Sequence, residues 1–142
     1  MTAWVISETG WAHDAERLSA IRRAVFIDEQ GVPEALEWDE HDAGALHLLA
    51  TLADGTPIGC ARLLPDGHIG RMAVLPQWRG HGVGRALLAS AIRAAQTRGY
   101  TTLKLSAQIH AAEFYLAAGF VAVGEPYEEA GIPHVAMQMN PH

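Results

Sequence analysis

The stretch that most constrains the fold is residues 72–88, Met-Ala-Val-Leu-Pro-Gln-Trp-Arg-Gly-His-Gly-Val-Gly-Arg-Ala-Leu-Leu. A short apolar strand ends at Pro76. A tight loop carries Gly80, Gly82 and Gly84 between Arg79 and Arg85, and an apolar-periodic helix follows at once. A helix start presents backbone N–H groups without intrahelical partners, together with a partial positive charge. Glycines let the main chain approach a guest closely, and arginines add fixed charge. The expected guest is an anion, a phosphate or pyrophosphate.

The spacing excludes two common phosphate loops. A Walker loop needs Gly-x-x-x-x-Gly-Lys-Ser/Thr, and neither lysine nor hydroxyl residue stands here. A dinucleotide fingerprint needs Gly-x-Gly-x-x-Gly and an acid about twenty residues on. This chain has Gly-x-Gly-x-Gly, and residues 101–107 contain no acid. The run Arg79-Gly80-His81-Gly82-Val83-Gly84 resembles the Arg/Gln-x-x-Gly-x-Gly/Ala signature of the GCN5-related N-acetyltransferases (GNAT). Met72-Ala73-Val74-Leu75-Pro76 is similar to the strand that precedes that signature in the family. The resemblance implies that residues 79–85, from Arg79 to Arg85, wrap the pyrophosphate of acetyl-coenzyme A (acetyl-CoA). It also implies that Met72, Ala73 and Val74 pair with the pantetheine amides.

The rest of the chain is read by periodicity. Ala3–Ser7 is a strand candidate. Trp11 to about Ile27 has helical spacing, with Leu18, Ile21, Val25 and Phe26 on one stripe. Residues 28–44 form an acidic loop with at most one helical turn. Ala45–Ala53, Ile58–Leu64 and residues 68–75 are strands joined by Asp54-Gly55-Thr56-Pro57 and Asp66-Gly67. A helix spans about Val83 to Arg98, with Gly99 at its C-terminal cap. Thr101–Leu105 is a strand, His110–Ala118 a small helix, and Phe120–Val123 and Val135–Met139 are the last strands. The order β-α-β-β-β-α-β-α-β-β is mixed α and β around one sheet. It agrees with the GNAT acyl-CoA N-acyltransferase fold, a mostly antiparallel sheet flanked by helices. At 142 residues, a single domain over 1–142 is expected.

The net charge of −6 argues against nucleic acid and anionic membranes as partners. The lone cysteine, Cys60, forms no internal disulfide, and no apolar run approaches the roughly 20 residues of a membrane span. A cytoplasmic location is the expectation, with no metal and with a homodimer left open.

Acyl transfer to an amine needs a bound carrier, a deprotonated amine, oxyanion stabilisation and a proton for the departing thiolate. Backbone N–H groups near Met72–Val74 can stabilise the oxyanion if the strand is bulged there. Residues 111–120, with Tyr115 and Gly119-Phe120, look like the family's tyrosine-bearing helix, which makes Tyr115 the general acid. Without the resemblance, Tyr115 beside Phe114 is an amphipathic core residue. Gln108 stands where the family often has an asparagine that contacts the cofactor. His68 stands where many members have a glutamate base, and imidazole accepts a proton near neutral pH. His41, His110, His134 and an ordered water chain are alternatives. The acidic stretch is the acceptor side for a small-molecule or peptide amine, with Glu29, Asp39 and His41 as its candidates. Arg62 shares the strand face of Ile58, Cys60 and Leu64, where it either pairs as a buried arginine with the carboxylates of the acidic loop or emerges near the strand end.

Residues 25–30 and 38–42 resemble a small bacterial subgroup typified by the ElaA and YjcF proteins. Two other readings remain open. One is a non-catalytic acyl-CoA sensor on the same scaffold. The other is an acyl-homoserine-lactone synthase, whose N-terminal pattern is similar to Arg22, Phe26, Trp38 and Asp39.

Overall fold

The computed structural model describes residues 4–142. Strand β1 spans Trp4–Thr9, so Ala3 of the expected first strand lies outside the described residues. Helix α1 (Trp11–Arg22) leads into a π-helical segment, Arg23–Glu29. The short helix α2 (Glu34–Glu37) and a 3₁₀ turn at Asp42–Gly44 follow. Strands β2 (Leu46–Leu52), β3 (Pro57–Leu63) and β4 (Ile69–Val74) precede the long helix α3 (Val83–Thr97). The chain closes with β5 (Leu103–Gln108), α4 (Ala112–Ala117), β6 (Val121–Glu129) and β7 (Ile132–Met139).

The expected element order holds, and the architecture is that of antiparallel sheets flanked by helices. The strands nevertheless divide into two groups, ordered β1-β2-β3-β4 and β5-β7-β6 and antiparallel throughout. They meet at one parallel bridge, His68 to Lys104, reinforced by Lys104 N–H donating to Gly67 O at 3.0 Å. Beyond that point β4 and β5 separate.

Both faces of the first sheet are covered, which explains why β3 is buried without interruption from Ile58 to Leu63. Leu49, Cys60 and Ala73 pack under Leu18, Ile21 and Val25 of α1 and its π continuation. On the other face Leu48, Ala50 and Ala61 meet Val83, Leu87 and Ala91 of α3. Gly59 makes that second contact close: a Cβ there would stand 3.1 Å from Leu87 Cδ1 and 3.2 Å from Ala73 O.

Several sequence expectations are corrected. The helix expected to run from Trp11 to Ile27 changes to π geometry after Arg22, a change the 18/21/25 stripe does not reveal. The acidic loop holds two short helical turns rather than at most one. The strand expected at Thr101–Leu105 begins at Leu103, because Thr102 is taken up against Gly67 at the junction. The last two strands are longer than expected because Ala130-Gly131 forms a tight hairpin turn with φ of 53° and 78°. Alanine carries no sequence signal for that conformation.

Candidate functional site

The divergence of β4 from β5 opens a cleft of about 960 Å³. Its walls include Met72 and Val74 of β4, Leu105 and Gln108 of β5, Tyr115 of α4, and Phe26 and Glu29 of the π segment. Each strand group ends at this cleft, so past the His68–Lys104 bridge the edges of β4 and β5 face each other without pairing. Unpaired strand edges offer N–H and C=O groups to an extended guest.

β4 is bulged at Arg71–Met72, just before the regularly paired Ala73 and Val74. Cys60 pairs with Ala73 and Arg62 with Gly70, so Arg71 and Met72 together oppose Ala61. Arg71 adopts a φ of 48°, rare for a residue with a side chain. Met72 lies next to Tyr115, whose hydroxyl stands 3.8 Å from Met72 Sδ. Edge-on contacts with Phe114 and Phe120, at centroid separations of 5.1 and 6.0 Å, fix the Tyr115 ring. Burial pushes the Tyr115 phenol up to about 12, so it keeps its proton at neutral pH.

The glycine loop ends at Gly82, whose φ of 86° turns the chain into α3, and no side chain caps that helix start. Val83 is buried, Gly80, His81, Gly82 and Arg85 are exposed, and Gly84 is half-buried beside Phe114 and Val74. Arg79 turns away from the loop. Its Nε donates to Val74 O at 3.0 Å, and its two terminal nitrogens donate to Glu29 at 2.7 Å each. Glu29, expected on the acceptor side, and Arg79, expected on the diphosphate, are thus brought together. Arg79 holds the Glu29 carboxyl below its usual range by hydrogen bonding and charge, against a smaller effect of burial.

Gln108 bridges the cleft: its Nε2 donates to Gln30 Oε1 at 2.8 Å, and His110 Nε2 stands 2.6 Å from its Oε1. With the amide so oriented, His110 Nε2 is the donor. His68 lines the narrow end of the cleft, half exposed, with Nδ1 2.8 Å from Asp66 Oδ2. His134 also lines the cleft, is buried, and sets Nδ1 2.6 Å from Ile132 O.

Asp39 and His41, expected on the acceptor side, do not line the cleft. Asp39 is drawn into an ionic cluster, and His41 is exposed beside Glu40. The cluster sets three arginines against three carboxylates. Arg22 donates from Nε to Glu37 at 2.9 Å and from Nη1 to Asp42 at 2.8 Å. Arg62 donates from Nη1 to Asp39 and Asp42 at 2.8 and 2.9 Å, the carboxylate partners its burial required. Arg71 reaches Glu37 at 3.0 Å and Asp39 at 3.2 Å. Trp38 lies 5.1 Å from the Arg22 guanidinium.

Burial raises the Glu37 carboxyl above its ordinary range, despite Arg71 and Arg22. For Asp39 and Asp42 burial is outweighed: Arg62 holds the first low, and Arg22 with Arg62 the second. The sequence reading placed Glu37 and Asp42 on the acceptor side only as part of the acidic stretch, and gave Arg22 and Arg71 no place beside the cleft. Arg22 carried a signal, a charge on the stripe of Leu18, Ile21 and Val25. Arg71 carried none, because its role follows from the bulge. Cys60 is fully buried and its thiol is pushed up to about 12, so it is not a nucleophile at neutral pH.

No cluster of histidine, cysteine or carboxylate side chains suited to a metal ion exists among the described residues. No helix among them is long and apolar enough to cross a membrane.

The chain matches the Acetyltransferase (GNAT) domain family over residues 11–141. It is 34% identical over 122 residues to the N-acetyltransferase YjcF of Bacillus subtilis, covering 82% of this chain and 86% of that one. It is 33% identical over 128 residues to protein ElaA of Escherichia coli, covering 84% and 83%. The crystal structure of ElaA superposes with a TM-score of 0.85 at 29% identity, over 95% of this chain and 98% of that one. An acyl-CoA N-acyltransferase from Pseudomonas aeruginosa superposes with a TM-score of 0.85 at 33% identity, over the same shares.

Proposed function

The chain belongs to the GNAT acetyltransferase family, and from that premise we propose that it moves an acetyl group from acetyl-CoA to a primary amine by direct attack in a ternary complex. The observation that carries this reading is the cleft between unpaired β4 and β5, with the uncapped start of α3 beyond the end of β4 and the Tyr115 hydroxyl against its wall. The residues fit the carrier. The α3 start and the glycines at 80, 82 and 84 suit a diphosphate, and the open strand edges suit the amides of an extended pantetheine.

Acetyl-CoA supplies the thioester carbonyl. The β4 bulge at Arg71–Met72 breaks the ladder beside it, freeing main-chain N–H groups for the developing oxyanion. As the new N–C bond forms and the C–S bond breaks, Tyr115 gives its phenolic proton to the leaving sulfur. The amine's surplus proton leaves through His68 or His134, which line the cleft, or directly to solvent.

Calorimetry with coenzyme A tests the reading. Binding is expected for the native chain and lost in Gly84→Glu. Gly84 has an ordinary φ, and a Cβ there meets only van der Waals contacts at 3.7 Å, so the variant folds while placing an anion at the loop. A native chain that gives no heat with coenzyme A overturns the reading. A carrier that binds but stays intact with every amine supplied marks a sensor rather than an enzyme.

A further inference from the structure

We infer that the acceptor amine also carries a carboxylate, which docks side-on against the Nε and Nη2 edge of Arg62. The inference rests on the acetyl-transfer reading above and names the substrate class of that same cleft.

Arg62 lines the cleft with a side chain only 7% exposed. Its Nη1 is committed to Asp39 and Asp42. Its Nε is buried without a hydrogen-bond partner among the described residues, and is the one such side-chain atom among them. No hydrogen bond engages its Nη2 among those residues either. A buried guanidinium N–H left unpaired is costly and calls for a missing acceptor. The free Nε–H and Nη2–H lie parallel in one plane, the fork that takes both oxygens of a carboxylate.

The strand opposite leaves room beside this side chain. Gly70 pairs with Arg62 across β3 and β4, lines the cleft, and has nothing within 4 Å of where a Cβ would stand. Met72, beside the Tyr115 hydroxyl, follows Gly70 across the Arg71 bulge and lines the same cleft as Arg62. A molecule with its carboxylate at Arg62 therefore lies in the cleft that Tyr115 also lines. Three arginines already balance Glu37, Asp39 and Asp42, so a singly charged guest is tolerated better than a doubly charged phosphate beside those acids.

The test uses the full chain, acetyl-CoA and matched amines, read by thiol release. Glycine through 6-aminohexanoate is compared with methylamine through pentylamine, and glycylglycine with glycylglycinamide. At least one carboxylate-bearing member is expected to exceed its partner tenfold or more in kcat/KM. Gly70→Val, which fills the approach to Arg62, is expected to erase that preference while coenzyme A affinity stays within twofold. Arg62→Lys keeps a charge for Asp39 and Asp42 but loses the fork, and is expected to reduce the preference as well. The inference is overturned, with acetyl transfer left standing, if the carboxylate-free partners react equally well. It is also overturned if Gly70→Val keeps the preference, or if no pair member reacts although acetyl-CoA binds. A chain that binds no acetyl-CoA overturns the reading on which the inference rests.

Discussion

Tyr115 shows how one side chain is prepared for its task. Its ring is fixed by Phe114 and Phe120, and its hydroxyl sits 3.8 Å from Met72 Sδ. Tyr115→Phe keeps that packing, so stability should stay within about 1 kcal/mol. Loss of a general acid should lower kcat about 100-fold with little change in KM for acetyl-CoA, and steady-state kinetics on the native chain and the variant checks the split. Because burial holds the phenol near 12, the native enzyme should show no alkaline fall due to Tyr115 up to about pH 10. Gly67 is a second prepared residue. It has a φ of 95°, and a Cβ there would press into the Thr102 carbonyl oxygen. Gly67→Ala should cost at least about 2 kcal/mol in urea unfolding, from backbone strain alone and then from the collision. Gly70→Ala, with ordinary φ and open space, should stay within about 0.5 kcal/mol. The sequence marks Gly67 as a turn residue after Asp66. It does not say that Thr102 lies against it, since that contact joins segments far apart in the chain.

At the scale of elements, the π segment and the glycine loop are tied by one ion pair. Arg79 and Glu29 meet in a two-pronged contact, both side chains about 40% exposed. Such pairs contribute little to stability, so Glu29→Gln should change unfolding by less than about 1 kcal/mol. The same change removes an anion beside the expected diphosphate site and releases Arg79. Coenzyme A should therefore bind several-fold more tightly, most clearly at low salt, and calorimetry at two ionic strengths reads this. Weaker binding would mean that the pair holds the loop open for its guest. The glycine loop and α3 were legible because alternating glycines between arginines, followed by an apolar stripe, leave few alternatives. The π segment was not, because positions 18, 21 and 25 fall on one stripe in either helix type. The β6–β7 hairpin was missed for a related reason: Ala130 takes a conformation that its residue type does not announce.

Across the whole molecule, the two strand groups are joined at the His68–Lys104 bridge, and the six-charge cluster, three of whose members line the cleft, ties α1, α2, β3 and the bulge of β4 together. Arg62 was legible as a buried arginine in need of acids. The rest of the cluster was not, because six charges scattered over fifty residues look like solvated surface until the fold gathers them. Asp42 accepts from Arg22 and Arg62, the two most buried arginines of the cluster, and its own backbone carbonyl stands 2.9 Å from His47 Nε2. Asp42→Asn leaves two buried guanidinium groups short of charge and should cost about 3–5 kcal/mol at neutral pH. The pH dependence separates this charge effect from a packing defect. Asp42 has a folded pKa below its ordinary 3.8, so its contribution is full above about pH 4 and fades as pH falls through the lower folded value. Glu37 works in the opposite sense, because burial makes the folded protein hold its proton more tightly than the unfolded chain does. His47 is kept from charging chiefly by burial, so native and variant chains alike should begin losing stability as pH drops below 6.5. Urea unfolding at pH 7, 5, 4 and 3 should therefore give a native-to-variant gap that narrows once the pH falls below about 4. A gap that stays constant to pH 3 would mean that Asp42 acts through shape rather than charge.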